Sequence, residues 1–453
     1  KKRFYTDLFH ALQGRRIVSD VNGKYLDMTG DKPRAGQIPL KANGQPKFNH
    51  HNFDAMWGAQ WTINTLWHLV YPEVTESFIN SMLMMYDDGG LIPRGPAGGN
   101  YTYVMTGASS TPFIVSAYQK GIRGFDIQKA YEGMRKNHFP GGMMSKAGYE
   151  HKTFKGGGIE YYMERGYVPH PISPIRYGFH MDGSAQTLEY AYQDFSLAQM
   201  SKALGKTDDY QLFMKRSQNF KNIWNPELGW MWIKNLDGNW EKSVDILRYD
   251  HGWEEGNSAQ WTWFVPHDLK GLASLMGGND KAVAKLNESF EKASAHDFVS
   301  GKSHDKETQE ENRRVYLNFG NQPSIQTSYI FNQIGAPWLT QKWTRKVIEK
   351  VYSGLSPNYG YSGDEDQGLM GSLAVLMKIG IFSMDGGVAQ TPYYDLSSPI
   401  FDKIEINDLP QQIPIYDLLE YRIGFLLSSI IDNKLSLASI NYNLDFFIKK
   451  ISN

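Results

Sequence analysis

The chain has no cysteine among its 453 residues. That absence excludes disulfides, thiolate zinc sites and cysteine nucleophiles, though it does not fix the compartment. Charge of one sign is also missing. With 47 basic against 48 acidic side chains, nothing recommends nucleic acid or an anionic membrane as partner. No apolar run approaches the roughly 20 residues needed to cross a bilayer. Gly156-Gly-Gly158 is followed by no Lys-Ser/Thr, so it is no phosphate loop, and no Gly-x-Ser-x-Gly nucleophile elbow occurs. His50-His51 and His267-Asp268 lack a third ligand at metal-site spacing and read as core or loop residues. The opening Lys1-Lys-Arg-Phe has no signal-like character, which fits a processed protein or a fragment.

Aromatic residues are abundant at 14%, including 12 Trp and 27 Tyr. Most would fill a large core, and some could offer apolar faces to sugar rings. Helical periodicity dominates the chain. The spacing predicts a helix capped by Ser184 and ended by Leu204-Gly205, one capped by Thr207, and others after Asn279 and Thr340. Further helices are expected over 57–69, 74–86, 111–120, 127–137, 326–333 and 369–379. Strand-like material appears mainly near the end, at 393–406 and 436–448. Long glycine-rich connections lie at 87–100, 141–158 and 229–256, and loops of that length are usually functional. Short turns alternating with long loops suggest a closed double ring of helices with a site at one mouth.

Two acidic clusters stand out, Gly252-Trp-Glu-Glu-Gly-Asn-Ser-Ala-Gln260 and Gly363-Asp-Glu-Asp-Gln-Gly368. Paired carboxylates from distant parts of a chain suit glycosidic bond hydrolysis. One stays protonated to release the leaving oxygen, and the other stays ionised to activate water or attack carbon. Calcium-binding or merely solvated acidic turns would carry the same residues. Neighbouring Glu254 and Glu255 point in different directions, so one of them should face the cleft. Trp253, Trp261 and Trp263 offer a low-dielectric setting that raises a carboxyl pKa. Asp364 and Asp366 are two apart and share one side of an extended loop. Asn318-Phe-Gly-Asn-Gln-Pro-Ser324 presents amides that suit a hard cation, a sugar hydroxyl network or an ordinary capped turn.

Beyond these clusters, nine stretches resemble family 92 of the glycoside hydrolases, the calcium-dependent exo-acting α-mannosidases. They are Phe4–His10, Ser19–Tyr25, Asn80–Tyr86, Gly121–Asp126, Thr187–Tyr192, Glu255-Gly-Asn257 through Val265–Asp268, Gly320–Pro323, Gly363–Gly368 and Ser398–Phe401, in family order. The resemblance implies a mainly α chain, an (α/α)6 barrel over residues 1–403, with a divergent segment of unknown structure over 404–453. It implies inversion and a calcium ion contacting the sugar. Glu255 takes the general-acid position, Asp366 the general-base position and Asp364 that of helper or alternative base. Trp57, Arg94, Trp253, Asn257 and Asn321 are candidate substrate contacts, and Asn321 and Gln322 candidate calcium ligands. An inverting pair should stand about 6.5–9.5 Å apart.

Several positions depart from the family pattern. Gln322 stands where glutamate is usual, removing a charge from the cation site. Gly58 replaces the aspartate of a Trp-Asp pair that grips the terminal sugar. No His-Glu pair occurs in Val315–Gln326, so an α-1,2 linkage is not implied. The family's usual N-terminal β-sandwich is absent, as in a fragment. The resulting expectation is an exo-α-mannosidase outside the cytoplasm, periplasmic or extracellular, acting on glycans. The alternatives are a same-fold glycosidase for another sugar or linkage, or a catalytically silent carbohydrate-binding barrel.

Overall fold

The computed structural model describes residues 1–14, 16–146, 157–171, 182–301, 304–355, 363, 365–402 and 404. Asp364, and the segment expected to diverge beyond 404, lie outside the described residues, as does the expected strand at 436–448. Helices dominate. Strands among the described residues form only two-stranded antiparallel ribbons, such as Lys24–Asp27 with Arg34–Gln37 and Trp224–Asn225 with Trp230–Met231.

Helices pack mainly as hairpins between sequence neighbours. Gly183–Ala203 lies on Thr207–Arg216, Leu269–Leu275 on Asn279–Ser294, and Thr327–Gln333 on Pro337–Lys350. The amino-terminal helix Lys2–Ala11 closes against Leu369–Ile379, which lies more than 350 residues away along the chain. The core between them is aromatic. Trp57, Trp61, Trp253, Trp261, Trp263 and Trp343 belong to one buried cluster, and burial of rings this large supplies much of the apolar driving force.

Helix 127–137 has the bounds its sequence predicts, because the Asp126 side chain accepts the Lys129 N–H at 3.0 Å and ends the preceding loop. Helix 369–379 does too, set between Gly368 and Gly380, both at positive φ. The expected caps Ser184, Thr207, Asn279 and Thr340 instead lie inside their helices, which start at Gly183, Thr207, Asn279 and Pro337. In the first case the Ser184 N–H already donates to the Gly252 carbonyl, so a tertiary partner replaces a side-chain cap. In the last, Pro337 supplies the start that Thr340 was expected to give. The segment 57–69 is not one helix: a 3₁₀ turn Ala59–Trp61 precedes helix Ile63–Val70. Among the described residues of the expected 393–406 strand, Asp395–Leu396 pairs, with Ile381–Phe382.

Candidate active site

The first acidic cluster is a loop pinned from several directions. The Asp250 N–H donates to the Gly256 carbonyl at 2.9 Å, and Ser184 and Ala185 N–H groups reach the Gly252 carbonyl. Trp261 Nε1 donates to the Glu254 carbonyl at 2.8 Å. Asn257 caps Ser258–Trp261 by accepting the Gln260 N–H at 3.1 Å, while its Nδ2 donates to the Val315 carbonyl at 3.0 Å. Glu255 carries this constraint as backbone strain, with φ 42°, a left-handed conformation that costs a non-glycine residue about 1–3 kcal/mol.

Glu254 and Glu255 diverge. Glu255 lines a cavity of about 230 Å³ together with Tyr249, Asp250, Glu307, Arg313 and Asn321. Glu254 is buried behind it. Burial holds its carboxyl well above the ordinary range, and nearby Asp182, Glu255 and Asp250 add repulsion that Arg94 partly offsets.

Arg94 and Trp57 belong to the support of this loop. Arg94 is 1% exposed, and its Nε and Nη2 have no hydrogen-bond partner among the described residues. Burial draws its pKa down to about 10, against the pull of Glu254, Asp54 and Glu189. Trp57 is buried too. Its indole donates to Glu189 Oε1 at 2.7 Å, and its ring stacks on Trp261 at 6.1 Å. Gln193 Nε2 donates to the other Glu189 oxygen at 2.8 Å, yet burial still pushes Glu189 up to about 8. Trp253 is 1% exposed and presents no open ring face.

The second cluster feeds helix Leu369–Ile379. Glu365 accepts the Gly368 N–H at 2.6 Å and the Gly371 N–H at 3.3 Å, so it caps the helix, where the dipole favours a carboxylate. Asp366 and Gln367 follow at φ 53° and 55°. The loop is brought to the 318–324 turn by two glycines in contact. A Cβ built on Gly363 would lie 2.1 Å from the Gly320 carbonyl oxygen, so no larger residue fits there.

That turn links the two clusters. Asn321 Nδ2 donates to Glu255 Oε2 at 3.0 Å, and Gln322 Nε2 donates to Asp366 Oδ2. Consecutive amide side chains therefore hold carboxylates that lie 111 positions apart, counted as 366 minus 255. The two departures at Gly58 and Gln322 also meet. Gly58 sits at φ 70°, and a Cβ there would lie 2.7 Å from Gln322 Cγ, so the glutamine stem occupies the space a side chain at 58 would need.

A hard cation suits part of this arrangement. Gln322 Oε1 and Gln367 Oε1 are buried acceptors without a partner among the described residues, and the amide nitrogens of the same side chains engage Asp366 and Asp54. Amide oxygens beside carboxylates are the donor types calcium takes. Asn321 fits less well, since its Oδ1 already accepts the Gln322 N–H at 2.9 Å and its Nδ2 holds Glu255. No group of three or more His, Cys, Asp or Glu side chains at metal-binding spacing occurs among the described residues. The two histidine pairs are structural: His50 stacks on Tyr25 at 4.3 Å, and His267 Nε2 meets the Ser217 carbonyl at 2.9 Å. Sequence reasoning missed Gln367, Asp54, Glu189, Tyr249 and Arg313, whose roles arise from contacts between remote segments.

Residues 1–415 match the model of the glycosyl hydrolase family 92 catalytic domain. A secreted glycosidase of Arthroderma benhamiae, otherwise uncharacterized, is 24% identical over 412 residues, 83% of this chain and 48% of that protein. A family 92 α-mannosidase from Bacteroides thetaiotaomicron, solved with mannoimidazole, superposes with TM-score 0.72 at 26% identity, covering 88% of this chain and 48% of that one. A family 92 inverting mannosidase from the same organism gives 0.71 at 29%, covering 90% and 52%. The chain spans about half the length of each of these relatives.

Proposed function

The chain belongs to glycoside hydrolase family 92, and on that premise we propose that it hydrolyses terminal α-linked mannose from glycans with inversion. Residues 1–403 form the catalytic unit, with the helical hairpins closed as an (α/α)6 barrel. Glu255 donates its proton to the leaving oxygen as the bond to the anomeric carbon breaks. Asp366 takes a proton from the water that attacks that carbon from the opposite face. The observation that carries this reading is the turn in which Asn321 holds Glu255 and Gln322 holds Asp366. Asp364, outside the described residues, remains the alternative base in this scheme.

Gln322 Oε1, Gln367 Oε1 and the Asp366 carboxylate would hold calcium. Bound there, the ion would neutralise charge and orient sugar hydroxyls. Arg94, with two unpartnered donors, steadies the carboxylates behind Glu255. The similarity to a secreted glycosidase supports a location outside the cytoplasm.

The contact between Gly58 and Gln322 favours a second reading, in which the same acid and base serve another sugar or linkage. Hydrolysis of a panel of α-mannosides and other α-glycosides, with and without chelator, separates the two. We expect α-mannosides to be cleaved, with turnover lost on calcium removal and restored by its return. Cleavage confined to another sugar would replace the mannosidase reading. Saccharide binding with no hydrolysis at all would leave only a binding barrel.

A further inference from the structure

The turn that holds both carboxylates is itself held by a line of buried contacts that ends on the first helix. The Tyr352 hydroxyl donates to the Phe319 carbonyl at 2.6 Å, just ahead of Asn321 and Gln322 in the turn. The Tyr352 ring is packed in the core, and its backbone carbonyl accepts Lys378 Nζ at 2.9 Å. Lys378, in helix Leu369–Ile379, also donates to the carboxylate of Asp7 in helix Lys2–Ala11, and both side chains are buried. An ammonium bonded to a carboxylate and a carbonyl away from water tolerates little displacement, because moving either acceptor leaves charge poorly paired in a low dielectric.

The first helix also bears directly on the second acidic loop. A Cβ built on Gly368 would lie 2.9 Å from the His10 carbonyl oxygen, and one on Gly14 would lie 2.3 Å from the Gln367 carbonyl oxygen. One element therefore touches the loop of Asp366 and, through Lys378 and Tyr352, the turn that meets it. We propose that Tyr352 is a positioning residue for hydrolysis. Its hydroxyl, anchored through Lys378 and Asp7, fixes the turn from which Asn321 and Gln322 hold Glu255 and Asp366. This rests on the glycosidase reading above. A shift of about 1 Å in a catalytic group can cost on the order of 10²-fold in rate, so the hydroxyl acts on turnover rather than on binding.

Tyr352→Phe keeps the buried ring and removes only the hydroxyl. Tyr162→Phe is the control, since its hydroxyl likewise donates to a buried carbonyl, that of Arg216 at 2.8 Å, remote from this line of contacts. On α-mannobioses, kcat should fall about 10–100-fold in Tyr352→Phe, with KM within about twofold of wild type. Tyr162→Phe should leave both constants unchanged. Hydrogen exchange read by mass spectrometry measures the turn without reference to activity: the 318–324 segment should exchange faster in Tyr352→Phe and not in Tyr162→Phe. Unchanged kcat or unchanged exchange in Tyr352→Phe overturns the proposal. Equal losses of kcat in both variants overturn it too, as a general consequence of losing a buried hydroxyl. So does a rise in KM at constant kcat, which would place the effect in binding. If the wild-type protein cleaves no glycoside, the glycosidase reading fails, while exchange across the turn still decides whether Tyr352 holds it.

Discussion

The two acidic loops solve the same local problem in opposite ways. Each sets neighbouring carboxylates ahead of a helix, and in each one carboxylate serves as support. In the 252–257 loop the supporting residue is Glu254, buried among Asp182, Asp250 and Glu255, with its carboxyl held well above the usual range. In the 363–368 loop it is Glu365, satisfied by two backbone N–H groups at a helix start. In the first, burial favours the neutral form of Glu254. The second surroundings are rich in donors, so charge is tolerated.

The largest expected effect tests the proposed division of acid and base between the loops. Asp366→Asn should lower kcat by roughly 10³-fold on every substrate, since water must be activated whatever leaves. Glu255→Gln should cost about 10²–10⁴-fold on sugar leaving groups and far less on nitrophenolate, which departs without a proton. Steady-state kinetics on both substrate types checks the pair. Equal leaving-group sensitivity in the two variants would erase the distinction between the loops.

Gly58→Ala sharpens the comparison at the shared turn. The new Cβ meets Gln322 at 2.7 Å and forces a side chain to φ 70°. A loss of about 1–3 kcal/mol is expected by denaturant unfolding, with a fall in kcat as Gln322 leaves Asp366.

The buried side of the first loop has its own signature in pH. Glu189 is raised from 4.5 to about 8 by burial. Below pH 4.5 both folded and unfolded chains hold its proton. Above that the unfolded chain releases it first, so stability falls as pH rises towards 8, by up to about 1.4 kcal/mol per unit. Glu189→Gln should flatten the dependence of Tm on pH over that window, and an unaltered slope would locate the titration elsewhere. The smallest effect belongs to the second loop: Glu365→Ala should cost about 1 kcal/mol, read from the same unfolding curves, as helix caps do.

These loops also mark how far the sequence could be read. Both were visible as glycine-flanked acids, and helix 369–379 had its bounds because Gly368 and Gly380 punctuate it. The split between Glu254 and Glu255 was foreseeable from their adjacency. What joins the loops was not, because Gln322 reaches Asp366 across 44 positions and Gln367 reaches Asp54 across 313. Local pattern carries no such information. Trp57 and Trp253 were expected to meet sugar, yet both are buried, since a Trp-rich stretch reads the same whether its rings line a cleft or fill a core. The helix starts at Gly183 and Pro337 were missed for a related reason: Ser184 and Thr340 carry capping side chains but sit inside the helix, where other contacts set the beginning.

Proton NMR of the first sugar released from an α-mannoside bears most directly on the shared turn and its two carboxylates. If Glu255 and Asp366 act as proposed, the first product is β-mannose, which only later equilibrates with the α form. Release of α-mannose at the outset would contradict the account.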